Sequence, residues 1–223
     1  MVCREGHAGP LGNLFGMQVR SGGWRTIVFK NRGALLVPVA LVLLVFGKPS
    51  MLSAQIGIAV AVLGELLRIW AVGYSGETTR ADIVTAPALV TAGPYGAIRN
   101  PLYVANAIIA LGFWYAFAGG ISSGEAWMTF VVVVGLVVGV YAIIIPLEEA
   151  YLAGHFGDAY RRYVETVPRI VPTGSSLAPA DRAGTWKPDV IMRAEIITLV
   201  FFVLMLTIVY LKLGQWSDWG IYF

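Results

Sequence analysis

Apolar residues in this chain run in long blocks rather than alternating with polar ones. Five blocks stand out, at residues 27–47, 51–74, 101–119, 126–147 and 190–213. A helix crosses the roughly 30 Å hydrocarbon core of a bilayer with about 20 apolar residues, so each block reads as a transmembrane helix. The first is the shortest. Its heart is 33–47, and it reaches spanning length by borrowing from 27–30 or by tilting. Pro49 and Ser50 part the first two blocks and predict a tight helical hairpin, and residues 119–125 join the third to the fourth in the same way. The pattern predicts an all-α integral membrane bundle of about five transmembrane helices, forming a single membrane domain over 1–223. No internal repeat appears. Residues 173–187, rich in Pro, Gly, Ser and Ala, read as a loop before the last span.

After the fourth block the period changes. Tyr151, Leu152, Phe156, Ala159, Tyr160, Tyr163 and Val164 recur at helical spacing, with Asp158, Arg161, Arg162 and Glu165 on another face. This predicts an interfacial amphipathic helix over 148–167, broken near 154–157. Its tyrosines have two readings, a belt at the membrane interface or a wall of a substrate site.

Composition narrows the class. The chain is 57% apolar and 13% charged, with a mean hydropathy of +0.73. Soluble domains are nearer 25% charged, and a fold of this size cannot hide so much apolar surface from water. A plain soluble domain, a disordered chain and a nucleic-acid binder are therefore excluded. A single cysteine, Cys3, rules out an internal disulfide, and two histidines, His7 and His155, are too few for a His-rich centre, so no metal is expected. The first 26 residues lack an apolar core, and no cleavable signal peptide is expected.

The basic residues orient the bundle. Five precede the first span, two lie between the second and third, and six between the fourth and fifth. These thirteen fall on one side, while Lys48 and Lys212 fall on the other and Arg68 lies inside a span. The positive-inside rule then puts the N-terminus in the cytoplasm and the C-terminus outside. The larger extramembrane segments, 75–100 and 148–189, share the cytoplasmic side, so chemistry is expected where they meet.

Charges inside an apolar sequence are expensive and informative. Glu65 and Arg68 share one face of the second span at a spacing of three. Either they pair with each other and lock the bundle, or one of them faces a ligand cavity. Glu148 and Glu149 follow the fourth block with Pro146 just before them, and no basic residue comes until Arg161. They are either a polar stop or a site for a cation such as an ammonium or sulfonium. Residues 91–103 read TAGPYGAIRNPLY. Gly93-Pro94 marks a turn, Asn100 is a good N-cap, and Pro101 suits a first helical turn. Arg99 beside a helix N-terminus favours an anion. A carboxylate at this loop and an ammonium at Glu148/Glu149 describe the ends of one zwitterion, and S-adenosylmethionine fits that pattern.

The stretch 89–172 resembles the isoprenylcysteine carboxyl methyltransferase and phospholipid methyltransferase superfamily. The resemblance rests on Gly93-Pro94-Tyr95, Arg99-Asn100-Pro101, Tyr103, Glu148-Glu149, Phe156-Gly157, Tyr160, Tyr163, Val167-Pro168-Arg169 and Pro172, in order and at matching spacing. It implies a membrane methyltransferase. Arg99, Asn100, Pro101, Glu148 and Glu149 would bind S-adenosylmethionine, and Gly93, Tyr95 and Tyr103 would line the same pocket. Arg99, Arg169 and Tyr163 are the candidate catalytic residues, the last two to orient an anionic acceptor or else to anchor the interface. The partners implied are the bilayer and a lipid or lipidated acceptor bearing a carboxylate, amine or thiol. A bacterial inner membrane is the expected location. The chain departs from the family at three positions, with Asn100 for the usual His, Gly96 where Arg or Lys is common, and Ala105 where Gly often stands. Asn bonds as a neutral His does but takes up no proton near neutral pH. Two other readings stand beside this one, an NADPH-dependent reductase resembling the sterol reductases and a non-catalytic membrane scaffold.

Overall fold

The computed structural model describes residues 37–76, 88–174 and 177–218. The described chain is helical and has no strand. Its helices are α1 (Val37–Phe46), α2 (Met51–Ser75), α3 (Pro101–Ala118), α4 (Ser123–Phe156), α5 (Asp158–Thr166) and α6 (Asp189–Asp218). Single 3-10 turns lie at Gly93–Gly96 and Pro179–Asp181. Within the described residues, α2, α3, α4 and α6 are each long and apolar enough to cross a membrane. The first apolar block is described only over α1, and the rest of it lies outside the described residues.

Each hairpin starts from a serine. Ser50 caps α2 with Ser53, and Ser122 caps α4 with Glu125, each pair exchanging side-chain bonds with the opposite backbone N–H. At this end Lys48 N donates to Phe117 O at 2.8 Å and Gly120 N to Lys48 O at 2.7 Å, pinning the two turns together. Lys212 of α6 donates Nζ to Gly47 O at 2.7 Å.

The tightest seam runs between α2 and α3. A Cβ at Gly112 would stand 2.7 Å from Gly57 O and 2.9 Å from Ala61 Cα, closer than a real side chain can come. Ala61, Ala105 and Ala116 are fully buried along the seam. Where lipid supplies no hydrophobic drive between helices, such small residues give association through close backbone contact. Ser53 Oγ adds a hydrogen bond across the seam to Ala116 O at 3.0 Å. Aromatic side chains join the outer helices to this pair. Phe113 meets Phe202 at 5.2 Å between ring centroids, and Trp114 meets Phe130 at 4.9 Å.

The fourth apolar block behaves differently from its sequence reading. A span ending at 147 and a separate interfacial helix over 148–167 were expected. Instead α4 continues through Pro146, Glu148 and Glu149 to Phe156, and the chain turns at Gly157, whose φ of 52° suits a residue without Cβ. The residues after Pro146 are strong helix formers and carry the helix on. Leu152 and Phe156 then pack on buried Tyr160, Tyr163 and Val167 of the short α5 and its end.

Candidate functional site

At the end of the bundle opposite the serine caps, the linkers interlock through their backbones. Arg99 N donates to Pro168 O at 2.9 Å and Asn100 N to Arg169 O at 3.2 Å, zipping the two motif segments together. Leu177 N donates to Gly96 O at 3.3 Å, Thr91 and Ala92 both donate to Ala183 O, and Lys187 N donates to Gly73 O at 2.8 Å. The segment before α6 thus straps the Gly-Pro-Tyr turn onto the end of α2. Gly93 has φ 60°, and a Cβ there would collide with the Tyr74 ring, so this turn needs glycine twice over. Tyr163 Oη donates to Tyr95 O at 2.7 Å and fixes the turn from the α5 side.

Glu149 is the centre of the site. Its carboxylate meets Arg169 through Nη2 at 2.5 Å and Nε at 3.2 Å. Arg99 Nη2 lies 3.4 Å away, and Asn100 Nδ2 donates at 3.3 Å. Asn100 starts α3, but its side chain makes no capping bond; it turns to Glu149 and to Arg169 O at 3.2 Å. An amide N–H here does what the N–H of a neutral imidazole would do. Arg169 is half exposed while the Glu149 side chain is 12% exposed, so the acid sits at the floor and one of its cations at the rim. The bond to Glu149 raises the Arg169 guanidinium above its ordinary range.

The site also holds buried polar atoms with nothing to bond. Arg99 Nε and Nη1 and Tyr160 Oη are each shielded from solvent and lack a partner among the described residues. Such groups cost free energy unless a ligand satisfies them. Burial pushes the Tyr160 phenol up, and the Glu149 charge pushes it further. Burial likewise raises Tyr163 and Tyr95.

Every sequence-predicted site residue lies at this end. Gly93, Tyr95, Arg99, Asn100 and Pro101 form the loop and first turn of α3. Glu148 and Glu149 approach from α4, Tyr163 from α5, and Arg169 from the tail. Tyr103 sits one turn into α3 and meets Tyr141 with ring centroids 4.7 Å apart and planes tilted by 52°. Gly96, where a basic residue is common in the family, is covered by Arg182. A Cβ at Gly96 would stand 3.2 Å from Arg182 Nε, so the strap brings its own guanidinium to that spot. Among the described residues no group of three His, Cys, Asp or Glu side chains is placed to hold a metal.

Residues 52–159 match the model of the phospholipid methyltransferase family. Over that stretch, just under half of its length, the chain is similar to the phospholipid methyltransferase family. It is 32% identical over 123 residues to protein-S-isoprenylcysteine O-methyltransferase B of Arabidopsis thaliana, covering 53% of this chain and 59% of the relative. It is 33% identical over 115 residues to protein-S-isoprenylcysteine O-methyltransferase of Schizosaccharomyces pombe, covering 49% of this chain and 45% of the relative. The chain thus matches about half the length of these curated relatives. No solved structure matches it. The matched residues include Asn100 and Glu149, while Arg169 and the strap lie beyond them.

Sequence reasoning missed a second polar cluster, one turn and more below the first. Arg68 does not pair with Glu65. It makes a two-pronged ion pair with Glu195 of α6, Nε to Oε2 at 2.8 Å and Nη2 to Oε1 at 3.0 Å, and gives Nη1 to Asn106 Oδ1 of α3. Glu195 is fully buried. Its position among apolar residues was the signal available, but its partner is 127 positions away in the chain.

Proposed function

We propose that this protein is an S-adenosylmethionine-dependent methyltransferase whose acceptor is lipophilic and reaches the site from the bilayer. The observation that carries the reading is the pairing of one acid with unsatisfied donors. Glu149 lies beside Arg99, whose Nε and Nη1 are buried and unbonded among the described residues. A zwitterionic amino acid end fits both halves, its carboxylate on Arg99 and its ammonium on Glu149. When bound, the cofactor supplies an activated methyl on a sulfonium. The protein's own work is positioning and exclusion of water. Arg99, Asn100 and Glu149 fix one end of the cofactor. Tyr103 of α3 and Tyr141 of α4, in tilted ring contact, would line its inner side. Arg169, which shares Glu149 from the half-exposed rim, would yield that bond to a ligand ammonium and keep its guanidinium at the rim for the acceptor. Tyr163 acts as a positioning residue through the Tyr95 carbonyl. The site faces the cytoplasm, as the distribution of basic residues supports.

Calorimetric titration of the purified protein with S-adenosylmethionine tests this. Wild type should bind. Glu149→Ala should weaken binding about 10- to 100-fold, the scale of a charge-assisted bond of about 1.5–3 kcal/mol. Absence of binding by wild type, or equal binding by the variant, removes the assignment.

A further inference from the structure

The serine-capped end of the bundle carries charge and shape that methyl transfer leaves unused. Lys48 follows α1 and sits on the end of α3, where its N–H donates to Phe117 O at 2.8 Å and its carbonyl accepts from Gly120 N at 2.7 Å. A Cβ at Gly120 would stand 3.2 Å from Lys48 Cβ, so the lysine stem lies against the residues that end α3. Lys212 reaches the same spot from α6. Its Nζ donates to the carbonyl of Gly47, the residue before Lys48, and stands 5.9 Å from the centre of the Phe117 ring. The two ammonium groups are near enough to act on each other. Glu125 lies within reach of the Lys48 charge, but it gives Oε2 to both Ser122 donors, at 2.9 and 2.8 Å. The backbone links therefore hold two like charges together beside apolar helices. Their repulsion costs free energy that an anion between them would return.

One turn deeper the same helix borders an aromatic hollow. Trp114 lies three positions before Phe117 on α3, so the two share a face. They line one crevice with Gly47 and Thr129. Beyond Trp114 a hollow of about 270 Å³ opens between α3 and the start of α4, lined by Trp114, Ser123, Ala126, Trp127 and Phe130. Its walls are fixed. The Trp114 indole donates to Thr129 Oγ1 at 3.2 Å, and Phe130 meets Trp114 at 4.9 Å and Trp127 edge-on at 5.7 Å between ring centroids. Pockets for drug-sized ligands begin at about 300 Å³, so this hollow suits part of a fatty chain and no larger group. It faces outward, with Trp127, Met128 and Val131 exposed along the same stretch of α4. In a bilayer that side lies against acyl chains.

We propose that this end binds one phospholipid, with its phosphodiester between Lys48 and Lys212 and a stretch of one acyl chain in the hollow beside Trp114 and Trp127. Charge selects the phosphate. Depth selects a lipid over a free anion, because apolar surface lies directly beneath the two cations. The bound lipid ties α6 to the turn between α1 and α2. Of the four helices long enough to span, α6 is the least buried within the bundle, so it gains most from that tie. This lipid is not a methyl acceptor. Trp127 and Glu149 lie on one helix, about 33 Å apart at 1.5 Å per residue, and methyl transfer needs acceptor and cofactor in contact. The inference therefore stands apart from the methyl-transfer reading and does not depend on it.

Native mass spectrometry of the full chain, delipidated in mild detergent and titrated with dioleoylphosphatidylglycerol, tests the proposal. Wild type should take up one lipid in a distinct first step. Lys48→Gln and Lys212→Gln should each weaken that step about 10-fold, the scale of a charge-assisted bond. Lys212→Arg, which keeps the charge, should retain it. Dioleoylglycerol, which has the chains without the phosphate, should bind at least as weakly as the lysine variants, and millimolar inorganic phosphate should not displace the phospholipid. The phospholipid should raise the melting temperature of wild type and leave that of the Lys48→Gln variant unchanged. Should Lys212→Gln fail to fold, Lys48→Gln, at an exposed turn, carries the test alone. Equal first-step binding by Lys48→Gln and wild type overturns the proposal, as does equal binding of dioleoylglycerol. Displacement by inorganic phosphate overturns it too, since the lysines would then be a site for a free anion.

Discussion

Two ion clusters sit at different depths in this bundle, and they are built on opposite plans. At the interface, a single acid, Glu149, is shared by Arg99, Arg169 and Asn100, and one of its cations is half exposed. Inside the bundle, Arg68 and Glu195 satisfy each other and Asn106 takes the remaining donor, with every member pinned to a different helix. The first cluster has donors to spare and rearranges at little cost because water reaches its rim. The second is closed, and its geometry holds α2, α3 and α6 in register. The ligand site proposed above is the cluster with unsatisfied atoms, and the cluster without them is built for rigidity. Glu65 is the exception that lies beside the closed cluster and outside its bonding.

The sharpest way to break this contrast is to open the closed cluster. Glu195→Leu leaves Arg68 as a buried, unpaired cation, and it should cost about 3–5 kcal/mol of stability, read by denaturant titration in detergent. The double variant Arg68→Met with Glu195→Leu should regain most of that loss, because the desolvation penalty disappears with the charge. A double variant as unstable as the single would mean that packing at Glu195, rather than charge, holds the seam.

The two clusters also differ in how far the sequence reveals them. Glu148-Glu149, Arg99-Asn100-Pro101 and Val167-Pro168-Arg169 are contiguous pieces whose chemistry reads locally, and the structure brings all three to one end. Four of the five apolar blocks are legible as spanning helices, because bilayer thickness sets helix length directly, while the first lies partly outside the described residues. What escaped was anything decided by which helices touch. Spacing of three suggested that Arg68 pairs with Glu65, yet rotamer direction and the approach of α6 give it to Glu195. Asn100 looked like an N-cap, and its amide goes instead to an acid that arrives from α4. The end of the fourth block was misplaced because a polar Glu-Glu pair interrupts hydropathy without interrupting helical propensity.

Smaller effects sharpen the boundary of the open cluster. Tyr163→Phe removes the donor to Tyr95 O and leaves that carbonyl unsatisfied at a half-buried turn, so about 1–2 kcal/mol of stability should be lost. Cofactor affinity should fall with it, since the turn carries the Arg99 loop, and equal affinity would show that the loop holds itself. The phenols give a pH test of the same region. Burial raises Tyr95, Tyr160 and Tyr163 above the ordinary tyrosine value near 10. The folded state therefore binds these protons more tightly than the unfolded state. Their contribution is fully present below about pH 10 and is lost as pH rises beyond it. Absorbance near 295 nm should show these three phenols ionising only together with unfolding.

The smallest expected change distinguishes a rim cation from a structural one. Arg169 has its two bonds to Glu149, but its side chain is 51% exposed and the pair is screened by solvent. Arg169→Ala should therefore shift stability by no more than about 1 kcal/mol, against the several kcal/mol expected for Glu195→Leu. Cofactor affinity should rise a few-fold rather than fall, because a ligand ammonium no longer competes for Glu149. A large destabilisation would make Arg169 part of a closed cluster like the deeper one. A marked loss of affinity would place it on the cofactor itself, and the exchange of one cation for another at Glu149 would have to be abandoned.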